Sequence, residues 1–164
     1  MSRRLGYLLL TGVVLLLDQG TKAWAMIRLQ PVGVIEVIPD LFRLTYATNP
    51  GVAFSLLADG SAATRYLLSG IAVLAAVLVT AHQWQVPVTQ RRLQAALSLL
   101  LAGIIGNLLD RMRFGEVIDF LDFHLANQYS WPTFNVADAA ICLGAGVLAV
   151  ELLREDRRRR RHVS

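Results

Sequence analysis

The sequence predicts a mainly α membrane protein, with four transmembrane helices and a small extracytoplasmic β-sheet. Three observations carry that expectation. The 164 residues are 55% hydrophobic with a mean hydropathy of +0.49, more apolar than a soluble domain of this size. Four apolar runs each come near the roughly 20 residues that a helix needs to cross a bilayer. The charged residues are sorted to the ends of those runs rather than scattered.

The first run, residues 5–25, is "LGYLLLTGVVLLLDQGTKAWA". Arg3 and Arg4 before it and "AWA" at its end have the outline of a cleavable leader. Asp18 and Lys22 interrupt that outline and favour a retained span. The second run is 65–84, the third 93–110 and the fourth 136–153. Gly and other small residues recur in them, which suits close helix packing in lipid. Between the first two runs, residues 31–57 read differently. "VIEVI", "LFRLTYA" and "VAFSLL" are short, β-branched or aromatic, and broken by Pro39-Asp40 and Asn49-Pro50-Gly51. That pattern predicts a twisted sheet or hairpin, its apolar face lying on the membrane surface.

Four spans put both termini on one side. That side holds Arg3, Arg4, Arg91, Arg92 and the tail "REDRRRRRHVS", so the positive-inside tendency makes it cytoplasmic. Residues 1–156 form one membrane-embedded domain in this reading, and 157–164 a basic cytoplasmic tail. Five consecutive arginines beside a span suit an anchor on anionic lipid better than a nucleic-acid site. Cys142 lies alone in an apolar run, so no internal disulfide forms, and no Cys/His cluster suggests a metal. No cofactor is expected.

The acids then gather at one depth. Asp18, Asp110 and Asp138 fall at the outer ends of spans one, three and four, and Glu116, Asp119 and Asp122 in the outer loop. Asp18 and Lys22 share a helix face and read as a structural pair, as does Asp110 at its helix end. Asn107 and Arg111 either belong to that helix-end network or hold a substrate carbonyl. Asn49 suits a tight turn or a binding role, and Asn135 a helix cap. Ser55, His82 and His124 have no partners at the spacing a serine hydrolase needs. Asp119 and Asp138 are either a solvated loop charge and a cap or a converging pair. Two carboxylates brought together in a poorly solvated place cannot both ionise cheaply, so one keeps its proton and the pair holds an acid and a base.

Five blocks in order resemble the bacterial lipoprotein signal peptidases, or signal peptidase II. They are "DQGTK" (18–22), "NPGVAFS" (49–55), "AGIIGNLLDR" (102–111), "GEVIDF" (115–120) and "FNVAD" (134–138). The likeness covers nearly the whole chain. It departs at Pro50, Val52, Ile104 and Ile105, none of them a polar group the motifs need. The resemblance implies an aspartic endopeptidase of the bacterial inner membrane, working near the outer face as a monomer. It maps the catalytic pair to Asp119 and Asp138 and leaves Asp122 out. It maps substrate-lining positions to Asn49, Gly103, Asn107, Arg111 and Asn135, and keeps Asp18 and Lys22 structural. The implied partners are a diacylglyceryl-prolipoprotein, cut just before its lipidated cysteine, membrane lipid, and the inhibitor globomycin. In such chemistry one aspartate activates water while the other, protonated, polarises the carbonyl and supplies a proton to the leaving amine. A small transporter is the rival class, but spans two and three lack the mid-depth charge that transport needs. A scaffold protein would need no converging acids.

Overall fold

The computed structural model describes residues 3–51, 61–125 and 129–163, with 156–163 described by backbone alone. Each apolar run folds as a helix: α1 (Arg3–Arg28), α2 (Ala62–Gln85), α3 (Arg91–Phe114) and α4 (Val136–Val163). Ser61 caps α2 by accepting the Thr64 N–H at 3.1 Å, and the helix stops just before Pro87. Gly115 ends α3 in the left-handed region at φ 89°, where a side chain would be strained. The fourth run continues as helix through the arginine tail.

Three of the helices are long and apolar enough to cross a membrane: Ala62–Gln85, Arg91–Phe114 and the Val136–Glu155 part of α4. Their outward faces are apolar, with Leu67, Ile71, Leu74, Leu143 and Leu152 among the exposed residues. The remaining helix, α1, has 26 residues and carries Asp18 and Lys22 in its second half. Both are buried.

α3 is the centre of the bundle and packs against each of the other helices. At Gly103 a Cβ would run into the Ala137 carbonyl oxygen and the Ile141 side chain, and at Gly106 into the Asp18 carboxylate. Glycine at both positions lets α3 approach α4 and α1. The end of the bundle around Gln83, Gln94 and Ser98 is held by uncharged polar groups. Gln94 Nε2 donates to the carbonyls of Val86 (2.9 Å) and Gln83 (3.1 Å), Gln83 Nε2 to Ser98 Oγ (2.9 Å), and Thr11 Oγ1 to the Ser98 carbonyl (3.3 Å). Pairing removes the cost of burying these groups.

The segment between α1 and α2 forms β1 (Val34–Ile38) and β2 (Phe42–Asn49), as its composition predicts. Val52–Leu57 and Ser55 lie outside the described residues. The sheet is larger than a local hairpin. β3 (Val117–Leu125) and β4 (Tyr129–Ser130) extend it in the order β1-β2-β3-β4, with antiparallel pairing. β2 and β3 pair Arg43 with Asp122, Ala47 with Asp119 and Asn49 with Val117, across an irregularity between Leu44 and Ala47. Phe120 of β3 packs on Ala25 and Leu29 at the end of α1. The sheet is thereby seated on the same end of the bundle as Asp18, Asp110 and Asp138.

Candidate active site

Asn135 begins α4 with a reciprocal cap. Its Oδ1 accepts the Asp138 N–H at 2.9 Å, and Asp138 Oδ2 accepts the Asn135 N–H at 3.3 Å. This is capping-box logic with Asn and Asp as its members. The cap fixes Asp138 in the first turn of α4, where the helix dipole favours negative charge. The Asn135 side-chain amide then reaches β3 and donates to Asp119 Oδ1 at 2.7 Å and to the Ile118 carbonyl at 3.2 Å. One asparagine therefore touches both carboxylates.

Asp119 sits mid-sheet and is 2% exposed. Asn49, at the end of β2, approaches its other oxygen through Nδ2 at 3.4 Å. The same Asn49 accepts the Gly51 N–H at 3.0 Å, so its turn and its contact with the site coexist. Burial, then the nearby Asp138 charge, push the Asp119 carboxyl up from 3.8 to about 7. The amide donors Asn135 and Asn49 and the Lys22 charge pull it the other way without prevailing. A carboxyl of that kind carries a proton over much of the neutral range.

Asn107 of α3 supports the other acid. Its Nδ2 donates to Asp138 Oδ1 at 2.7 Å. Its Oδ1 accepts from Lys22 Nζ at 3.0 Å and from Asn135 Nδ2 at 3.2 Å. Lys22 also lies 2.9 Å from Asp18 Oδ2 and 2.8 Å from Asp110 Oδ2. Asp18 Oδ1 accepts the Ala137 N–H at 2.9 Å, and Asp110 Oδ2 the Ile118 N–H at 3.3 Å. Of the three charges that the sequence assigns to structure, Asp18 and Asp110 thus bind the starts of α4 and β3, one beside Asp138 and the other beside Asp119, and Lys22 joins the two. Gln19, which the sequence reading passed over, closes this cluster by donating to Asp18, Asp110 and the Gly106 carbonyl. Its place beside Asp18 in "DQGTK" was the available signal.

The other expected residues fall as follows. Arg111 donates through Nη2 to the Gly51 carbonyl at 2.8 Å, while its buried Nε has no hydrogen-bond partner among the described residues. Gly103 meets Ala137, the residue before Asp138. Asp122 faces away from the pair and is neutralised by Arg43 at 2.6 Å. His124 is buried on β3, with Nε2 3.5 Å from Glu36 Oε1. Among the described residues, no group of His, Cys, Asp and Glu is disposed to hold a metal ion.

A buried and a half-buried carboxylate, both contacted by one asparagine and one of them titrating near neutrality, form an arrangement able to activate water. The profile of signal peptidase (SPase) II matches residues 10–154. The chain belongs to the signal peptidase II family. The lipoprotein signal peptidase of Yersinia enterocolitica is 43% identical over 150 residues, covering 92% of this chain and 88% of that one. That of Geobacter sulfurreducens is 44% identical over 146 residues, covering 88% and 89%. A bacterial membrane enzyme solved by the in meso method at 2.3 Å resolution superimposes with a TM-score of 0.81 at 27% identity, covering 92% of this chain and 89% of that one. As a signal peptidase II, the chain is an aspartic peptidase that removes signal peptides from prolipoproteins. The signal peptidase II fold is a membrane one, consistent with the three apolar helices.

Proposed function

We propose that the chain cuts diacylglyceryl-modified prolipoproteins just before the lipidated cysteine, with Asp119 and Asp138 as the catalytic pair. The observation that carries this reading is the Asn135 bridge, which contacts the Asp119 carboxylate through its side-chain amide and the Asp138 carboxylate through its backbone N–H. One carboxylate takes a proton from water as the water oxygen adds to the carbonyl carbon. The other, protonated, polarises the carbonyl oxygen and gives its proton to the amine as the C–N bond breaks. The proton taken from water then restores the acid. Asn49, Gly103, Asn107, Arg111 and Asn135 line or frame the substrate path. The free Nε of buried Arg111 is a ready donor for a peptide carbonyl or a developing oxyanion.

In this reading α1 is a fourth span. Its 26 residues extend about 39 Å at 1.5 Å each, and its two inner charges are shielded from lipid by α3. Both termini then lie in the cytoplasm of a bacterium, and the pair works at the outer face of the inner membrane. Acyl chains of the substrate stay in the bilayer while the peptide bond meets water at the interface. Residues 1–156 act as one domain and a single copy suffices. Globomycin competes for the same site. The test is cleavage of a diacylglyceryl-prolipoprotein by purified enzyme, with and without EDTA. Cleavage that survives EDTA and vanishes in Asp119→Asn and Asp138→Asn supports the pair. Cleavage lost to EDTA and restored by a divalent metal would overturn it.

A further inference from the structure

Lys22 does more than tie α1 to α3. We propose that Lys22 is a positioning residue for hydrolysis, which acts through Asn107 to keep Asp138 as the ionised member of the pair, the one that takes the proton from water. This deepens the reading above and rests on Asp119 and Asp138 being the catalytic pair.

The argument begins with what each group is able to donate. A lysine ammonium only donates, so the Asn107 atom 3.0 Å from Lys22 Nζ must be its oxygen. The Asn107 NH2 must then face the other way, and it meets Asp138 Oδ1 at 2.7 Å. A flipped Asn107 would set NH2 against the ammonium and its oxygen against a carboxylate. Asn135 is fixed from two directions that agree. Its Oδ1 receives the Asp138 N–H, so its NH2 faces the Asn107 oxygen and Asp119. One cation therefore sets an amide chain reaching both aspartates.

The two aspartates do not receive equal support. Asp138 has the Asn107 amide, the Asn135 N–H and the start of α4, all favouring negative charge. Asp119 lies on a strand, with one short amide donor and one at 3.4 Å. The charged groups that act on Asp138 are Asp18 and Lys22 from α1, Arg111 from α3 and Asp119 from β3, with Asp110 of α3 on the far side of Lys22. Lys22 and Arg111 offset Asp18 and Asp110. The pair then holds one proton and one negative charge, and the proton resides on Asp119. In the reaction Asp138 takes the water proton, Asp119 protonates the leaving amine, and the proton on Asp138 returns to Asp119.

The experiment follows kcat and KM across pH for parent enzyme and Lys22→Gln with a diacylglyceryl-prolipoprotein peptide. Lys22→Gln leaves Asp18 and Asp110 facing each other. A companion Asp18→Asn/Lys22→Gln, which removes one charge of each sign, serves if the single variant does not fold. The expected result is kcat lowered at least about tenfold with KM within about twofold. The acid limb of kcat/KM should move upward by on the order of one pH unit. A folded variant with normal kcat, or with lower kcat and an unmoved acid limb, would assign Lys22 to structure alone and overturn the proposal. Full cleavage by Asp138→Asn would instead overturn the catalytic pair itself, whatever Lys22 does.

Discussion

Arg43 Nε lies 2.6 Å from Asp122 Oδ2, and Ser130 Oγ donates to the other oxygen of that carboxylate at 2.7 Å. Three residues earlier, Asp119 leaves the same strand on the opposite face, where its hydrogen bonds come from amides. One strand thus carries an ion-paired acid and one held only by amides, which separates their expected mutational behaviour.

Asp122→Asn should retain cleavage within about threefold, with a loss of stability of about 1–3 kcal/mol from the weakened Arg43 pair. Asp119→Asn and Asp138→Asn should each lower kcat by at least about 10²-fold while the protein stays folded. Cleavage rates with melting curves on the same preparations check this. A dead, folded Asp122→Asn beside an active Asp119→Asn would move the pair.

The Asp119 carboxyl, raised to about 7, gives a pH signature. A group raised on folding contributes stability that is full below its ordinary value of 3.8 and is lost as pH climbs through about 7. The parent should therefore lose stability relative to Asp119→Asn over that window. Its activity should fall on the alkaline side of the same titration, as the acid of the pair disappears. Parallel melts of the two proteins across pH, with parent rates, are the measurement.

Gly103→Val tests the close approach of α3 and α4. The side chain must displace Ala137 or Ile141, at a cost of about 1–3 kcal/mol. Because Ala137 precedes Asp138, the larger effect should be on kcat, by about tenfold or more. A change confined to KM would make Gly103 a contact for substrate rather than a spacer.

The arginine tail continues α4 beyond its apolar part. Removing residues 157–164 should leave cleavage by correctly inserted enzyme within about twofold, since anchoring is an electrostatic attraction to anionic lipid. Purified truncated protein in liposomes shows whether turnover or only insertion suffers.

Orientation is checked by labelling. In a Cys142→Ser background, a cysteine at Ser164 should resist an impermeant thiol reagent in intact cells, and one at Asp40 should react. The reverse pattern would invert the topology.

The helices were legible because apolar runs of spanning length have few alternatives, and Asn135 marks a helix start in the way its side chain dictates. β1 and β2 were legible from composition. β3 was not: in "VIDFLDFHL" the acids stand three apart, which suits one helix face and breaks the strict alternation of a strand. Its partner strand lies far away in sequence, where local pattern has no reach. The convergence of Asp119 and Asp138 came from the ordered blocks, since spacing alone also fits a loop charge and a cap. The use of Lys22 was hidden because it passes through Asn107, and an amide's orientation leaves no trace in a sequence.

The contact between Lys22 and Asp110 also constrains biogenesis. Lys22 emerges from the ribosome with Asp18 as its helical neighbour, so α1 carries its two charges already matched. Asp110 follows much later, and within α3 the adjacent Asn107 and Arg111 are turned to other partners. That end of α3 therefore buries Asp110 at least cost when α1 is already there to receive it. The order of synthesis supplies that receptor first, and the oldest helix serves as the template for the central one.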